Sequence, residues 1–148
     1  MECTVDWVAA SGMTFVAETG SGHLLTMDGA ADGGGRNLAP RPMETVLAGT
    51  AGCTAYDVVL ILKRGRHDVT GCRVKVSAER AATDPKVFTR IHMHFAVAGR
   101  NLSADAVARA VALSLAPGRR GRWWRALAGG LALIAPMWFA SAIAPNDS

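Results

Sequence analysis

The chain opens on short runs with a period of two. Cys3, Val5, Trp7 and Ala9 alternate with Thr4, Asp6 and Val8, the pattern of a strand with one covered face. Ser11-Gly12 signals a turn, Met13–Thr19 a second run, Gly20-Ser21-Gly22 another turn, and His23–Met27 a third strand. Together they predict an antiparallel meander. After Pro42 the period becomes helical: Val46, Leu47, Ala51, Thr54, Val58, Ile61 and Leu62 share one stripe, which Val59 and Leu60 widen. This predicts a helix from Met43 to about Gly65, buried nearly all round in its second half. Pro42 suits its first turn, and Lys63, Arg64 and Arg66 place positive charge at its end, with Gly65 as the stop. Gly49 and Gly52 lie inside it, each costing about 1 kcal/mol relative to alanine, which calls for close approach of another backbone or of a substrate.

Strand alternation returns at Cys72, Val74, Val76 and Ala78, then at Val87, Thr89, Ile91, Met93, Phe95 and Val97. Ser103-Ala104-Asp105 predicts the cap of a second helix that carries Val107, Ala110, Val111 and Leu113. The order of elements implies an α+β fold, with antiparallel sheet strands packed around the 43–65 helix. So much apolar surface on one helix needs cover from both sides, and a fold stable only as a homodimer is expected.

Residues 28–42 interrupt the pattern with Gly33-Gly34-Gly35, Pro40 and Pro42, so this stretch is a loop, and one of a length that is usually functional or disordered. It is not a phosphate cradle: it has no GxxxxGK[ST] and no place in a βαβ unit.

Composition narrows the class. Half of the 148 residues are hydrophobic and 19% are charged, which excludes a disordered or collagen-like chain. Cys3, Cys53 and Cys72 are too few and too scattered for a disulfide scaffold or a paired zinc site. The start, Met1-Glu2-Cys3-Thr4, lacks the basic and apolar regions of a secretory signal, and a reducing cytoplasm is expected. Most of the net charge of +4 comes from Arg119, Arg120, Arg122 and Arg125, opposed after Pro117 by Asp147 alone. The rest is near neutral, and no nucleic-acid partner is expected.

Those arginines mark a change of character. Gly118 to Arg122 reads as a basic linker, followed by Trp123-Trp124-Arg125 and an uncharged stretch from Ala126 to Pro145. The chain therefore divides into a domain at 1–114 and an atypical tail at 115–148. The uncharged stretch meets the length rule for a membrane span, which would anchor the protein through residues 126–145 with the arginines on the cytoplasmic side. Its alanine and glycine content and Pro136 favour instead a terminus replaced by a shifted reading frame; a soluble packing helix is the third reading. Nothing in the tail alternates as a terminal strand should.

Cys53 is the sharpest candidate for chemistry. A reactive cysteine needs a cation or a helix N-terminus to hold its thiolate, and Arg36 and Arg41 in the preceding loop are the available cations. As a free cysteine on an apolar helix it also fits a structural role. The run from Gly33 through Pro42-Met43-Glu44 to Gly52-Cys53-Thr54-Ala55-Tyr56-Asp57 resembles the central helix of the OsmC/Ohr family, in its OsmC-like branch. The order of elements is similar to that family's over residues 2–114.

The resemblance implies a thiol-dependent peroxidase for organic hydroperoxides, part of the oxidative stress response, working as an intertwined homodimer without a cofactor or metal. It implies that Cys53 is the peroxidatic thiol, that Arg36 stabilises the thiolate, that a glutamate (here Glu44) positions the arginine, and that an external thiol reduces the enzyme. Two departures stand against the pattern. Met43 occupies the place of the family's glutamate, and Glu44, one residue on, points about 100° away around the helix. There is also no cysteine beyond Cys72 to resolve a sulfenate. The competing expectation is a non-catalytic member that binds a small apolar ligand or has lost its activity.

The remaining candidates are weaker. Cys3 and Cys72 are expected on inward strand faces as structural thiols. His92 and His94 share a strand face, but two ligands do not make a zinc site, and nothing in the sequence places His23 or His67 beside them. Asp57 reads as a helix-to-loop hydrogen-bonding group.

Overall fold

The computed structural model describes residues 1–116 and 141–143. They form two compact units, residues 1–49 and the chain from Thr50 onward, each described by itself. In the first unit, β1 (Cys3–Val8), β2 (Thr14–Thr19) and β3 (Leu24–Met27) make the predicted antiparallel meander in the order β1-β2-β3. Trp7 stands opposite Phe15, and Phe15 opposite Met27. Alternation here does not produce a buried face. As an edge strand, β1 leaves Cys3 through Trp7 exposed, so the expectation that Cys3 faces inward is corrected. Val5, Trp7 and Leu24 are 53%, 58% and 71% exposed, because three short strands offer nothing to lay over them.

The glycine-rich segment is an ordered Ω-loop rather than a disordered one. Its neck is closed by the Asp28 N–H, which donates to the Pro40 carbonyl (3.1 Å), and its interior by Gly35 and Asn37 N–H groups donating to Ala30 (2.9 Å) and Gly29 (3.2 Å). Glycine is required at position 35, where a Cβ would overlap the Gly29 carbonyl, and at position 34, where φ is +83°.

Helix α1 (Pro42–Arg64) follows, with Pro42 in its first turn as expected. The Glu44 carboxylate accepts from the Arg41 N–H (2.9 Å), the reach-back half of a capping box. At the far end the His67 N–H donates to Leu62 C=O (3.1 Å) and the Arg66 N–H to Lys63 C=O (3.0 Å), a Schellman motif. The left-handed residue of that motif is Arg66, at φ +62°, and not the neighbouring Gly65. α1 is not buried all round. Ala51, Thr54, Val58 and Leu62 are buried, whereas Val46 is 48% and Tyr56 70% exposed.

In the second unit, β4 (Asp68–Arg80) and β5 (Phe88–Arg100) form a long antiparallel hairpin; β4 extends the predicted strand at both ends, and β5 starts one residue after Val87 and runs on to Arg100. The inner face pairs Val74, Val76 and Ala78 with Phe95, Met93 and Ile91, while Lys75 and Ser77 stand opposite His94 and His92 on the other face. Helix α2 (Ala104–Leu115) is capped as expected, the Ser103 hydroxyl accepting from the Ala106 N–H (3.2 Å). Ala51, Val58 and Leu62 of α1, Phe88, Ile91, Met93 and Phe95 of β5, and Val107, Ala110 and Val111 of α2 are the buried apolar side chains among the unit's described residues. A third strand, β6 (Ser141–Ile143), runs parallel to β5, with Ala142 opposite His94. The expectation that the tail supplies no strand is thereby corrected: backbone pairing needs only extended residues at an open edge, not an alternating sequence. The basic linker, the paired tryptophans and the rest of the 126–145 stretch lie outside the described residues.

Arg66 carries a Cβ in a conformation that favours glycine, so Arg66→Gly is expected to stabilise the chain by about 0.5–1 kcal/mol. The shift of the chemical denaturation midpoint at unchanged slope checks this.

Candidate functional site

Cys53 owes its orientation to its neighbour. The Thr54 hydroxyl is buried, donating to the carbonyls of Ala51 (2.9 Å) and Thr50 (3.2 Å) and lying 3.6 Å from the Met93 sulfur of β5. That contact seats α1 on the sheet. A step of about 100° per residue then turns Cys53 away from the sheet, and its side chain is exposed. Gly49 and Gly52 flank it with open space where a Cβ would stand, and exposed Tyr56 lies one turn on. Among the described residues none makes the close approach expected at those two glycines.

The three thiols differ in setting. Cys3 is exposed, its thiol 3.7 Å from the carbonyl of its neighbour Thr4, a weak acceptor. Cys72, on β4, is half-buried, and desolvation pushes its thiol pKa up, which disfavours the nucleophilic thiolate.

Arg36 sits in the Ω-loop with its side chain exposed, and takes no part in the two ion pairs among the described residues, Arg90–Glu79 and Arg100–Asp68. Glu44 is engaged by the Arg41 backbone at the helix cap and is in neither pair. Among the described residues no three His, Cys, Asp or Glu side chains gather in a metal-holding arrangement.

Sequence reasoning missed Asp28. Its carboxylate, fully buried, is the hub of the loop. Oδ1 accepts from the Gly29 N–H (2.8 Å) and the Thr14 hydroxyl (3.3 Å), and Oδ2 from the Arg36 (3.1 Å) and Leu38 (3.0 Å) N–H groups. The Leu38 hydrogen bond is the main cause that holds this carboxyl below the usual aspartate range; burial opposes it, and the bonds from Gly29, Arg36 and Thr14 add to it. The available signal was Asp28-Gly29 at a strand end, an aspartate placed to bind backbone N–H groups ahead of it.

These features define a class: an α+β protein with a cysteine on a long capped helix that follows an arginine-bearing loop in the chain. The family model described as OsmC-like protein matches residues 33–116, and the chain belongs to the OsmC family. It is 50% identical to Protein YhfA of Escherichia coli K12 over 114 residues, which are 77% of this chain and 81% of YhfA. Among solved structures, it is similar in fold to an osmotic stress induced and detoxification response protein from Psychrobacter arcticus (TM-score 0.72, 15% identity, 97% of this chain and 96% of that one). It is likewise similar to an organic hydroperoxide resistance protein OsmC from Legionella pneumophila (TM-score 0.63, 14% identity, 96% and 97% coverage).

Because the folded state lowers the Asp28 pKa, its contribution to stability is present above the unfolded value of about 3.9 and is lost as pH falls through the folded value. Amide exchange at Arg36 and Leu38 should therefore accelerate below that pH, after global unfolding is subtracted. In Asp28→Asn, this acid-dependent component should be absent.

Proposed function

We propose that this protein is a thiol-dependent peroxidase that reduces organic hydroperoxides through Cys53, in a reducing cytoplasm. The observation that carries the reading is the exposed thiol on the open side of α1, within the family's Gly-Cys-Thr-Ala segment. The Cys53 thiolate attacks the terminal oxygen of the hydroperoxide. The O–O bond breaks, the alkoxide leaves and takes up a proton as the alcohol, and sulfur is oxidised by two electrons to the sulfenic acid. One external thiol condenses with it, releasing water and forming a mixed disulfide. A second displaces Cys53 and leaves as the external disulfide. Arg36 supplies the charge that favours the thiolate. Glu44, engaged in capping the helix, acts by fixing its start rather than by holding Arg36.

The working form is a homodimer. Only 22% of the most apolar stretch of α1 is buried, and Val5, Trp7, Leu24 and Tyr56 remain exposed, an amount of uncovered apolar surface that favours a second copy over solvent. A non-catalytic member that binds a small apolar ligand is the second reading, favoured by Met43 in the family's glutamate position.

With dithiothreitol as reductant, the protein is expected to consume cumene hydroperoxide, and Cys53→Ser to lose at least about 10³-fold in rate. Wild-type consumption no faster than that variant's would leave the non-catalytic reading. After stoichiometric oxidation, non-reducing peptide mapping is expected to show sulfenate at Cys53 and no bridge to Cys3 or Cys72; a bridged peptide would identify an internal resolving thiol. Sedimentation at micromolar concentration should give a dimer, and a natively folded monomer would contradict the assembly.

A further inference from the structure

We infer that Asp28 is a positioning residue for Arg36: the Ω-loop is built around its buried carboxylate so that the arginine is presented from a fixed backbone. The inference rests on the proposed role of Arg36 at the Cys53 thiolate and adds to it the group on which that role depends.

The hydrogen bonds divide the work. Oδ2 holds the Arg36 and Leu38 N–H groups, so the backbone is pinned at the arginine itself and two residues beyond it. Oδ1 binds the Gly29 N–H and the Thr14 hydroxyl, and Thr14 also donates to the Ser11 carbonyl (3.1 Å), which ties the hub to β2 and the turn before it. One side chain thus spans the loop from its first residue to its eleventh. The loop has little else to hold Arg36. Its guanidinium is exposed, and its neighbours Gly35 and Asn37 are fixed only through backbone bonds to Ala30 and Gly29.

Every partner of Asp28 is a donor, which makes the carboxylate irreplaceable by its amide. Asparagine keeps one acceptor oxygen but turns an NH₂ toward at least one N–H, leaving a buried donor without an acceptor. Gly35 serves the same arrangement sterically, since a Cβ there would overlap the Gly29 carbonyl and push apart the two strands of the loop that the carboxylate draws together.

The test compares wild type, Arg36→Ala, Asp28→Asn and the double variant, all shown folded by circular dichroism and denaturation midpoint. Two rates are read: carboxamidomethylation of Cys53 at neutral pH and its oxidation by cumene hydroperoxide. Each single variant is expected to slow both by about tenfold, the size of a one-unit loss of charge stabilisation. The double variant should be no slower than Arg36→Ala, because both changes remove one effect. Asp28→Asn at the wild-type rate beside a slow Arg36→Ala would overturn the inference and leave the role of Arg36 standing, as would effects that multiply in the double variant. Arg36→Ala at the wild-type rate would overturn the role of Arg36 itself and the inference with it. Should Asp28→Asn fail to fold, Gly35→Ala replaces it; that variant keeps the carboxylate, is expected to slow Cys53 to the same extent, and at the wild-type rate would overturn the proposal.

Discussion

A helix of 23 residues with apolar side chains on more than one side cannot be satisfied by one hairpin, and this constraint governs the rest of the molecule. One face of α1 is settled by Val58, Leu62 and the Thr54–Met93 contact. The other carries half-exposed Val46, exposed Cys53 and Tyr56, and two glycines with no described atom within 4 Å of where a Cβ would stand. The reactive candidate and the uncovered surface lie on the same face. In the proposed dimer, whatever covers that face also sets the polarity around the thiol, so assembly and chemistry are not separable properties.

Much of the fold was legible because its elements obey their local periods. The meander, the two helices with their Pro42 and Ser103 starts, and the long hairpin all follow from alternation and capping residues. What the sequence obscured has physical causes. Period-two alternation marks which residues share a side of a strand, but not whether anything lies against it, and so Cys3 was expected inside and is exposed. An apolar stripe likewise records what a helix is able to bury, not what one copy of the chain buries. β6 escaped because three extended residues at a sheet edge need no pattern of their own.

The candidate site divides in the same way. Cys53 and Arg36 stand out as candidates from a long motif, and the structure places both side chains at the surface. The role of Glu44 at the helix cap was half visible, since a glutamate three residues after the cap position is also the sequence mark of a capping box. Asp28 was not, because its importance lies in donors eight and ten residues away, which only the closed loop brings to it.

The parallel pairing of β6 with β5 carries a consequence for biogenesis. Three positions on the open edge of β5 are paired by residues that leave the ribosome more than forty positions later, so during synthesis the hairpin is complete in sequence before that part of its edge has a partner. During that interval the edge is open to strands of other chains, and β4 on its far side offers no protection. The exposed charges that punctuate the hairpin, Arg73, Lys75, Glu79 and Arg90, are of the kind that keeps such an intermediate from adding a foreign strand.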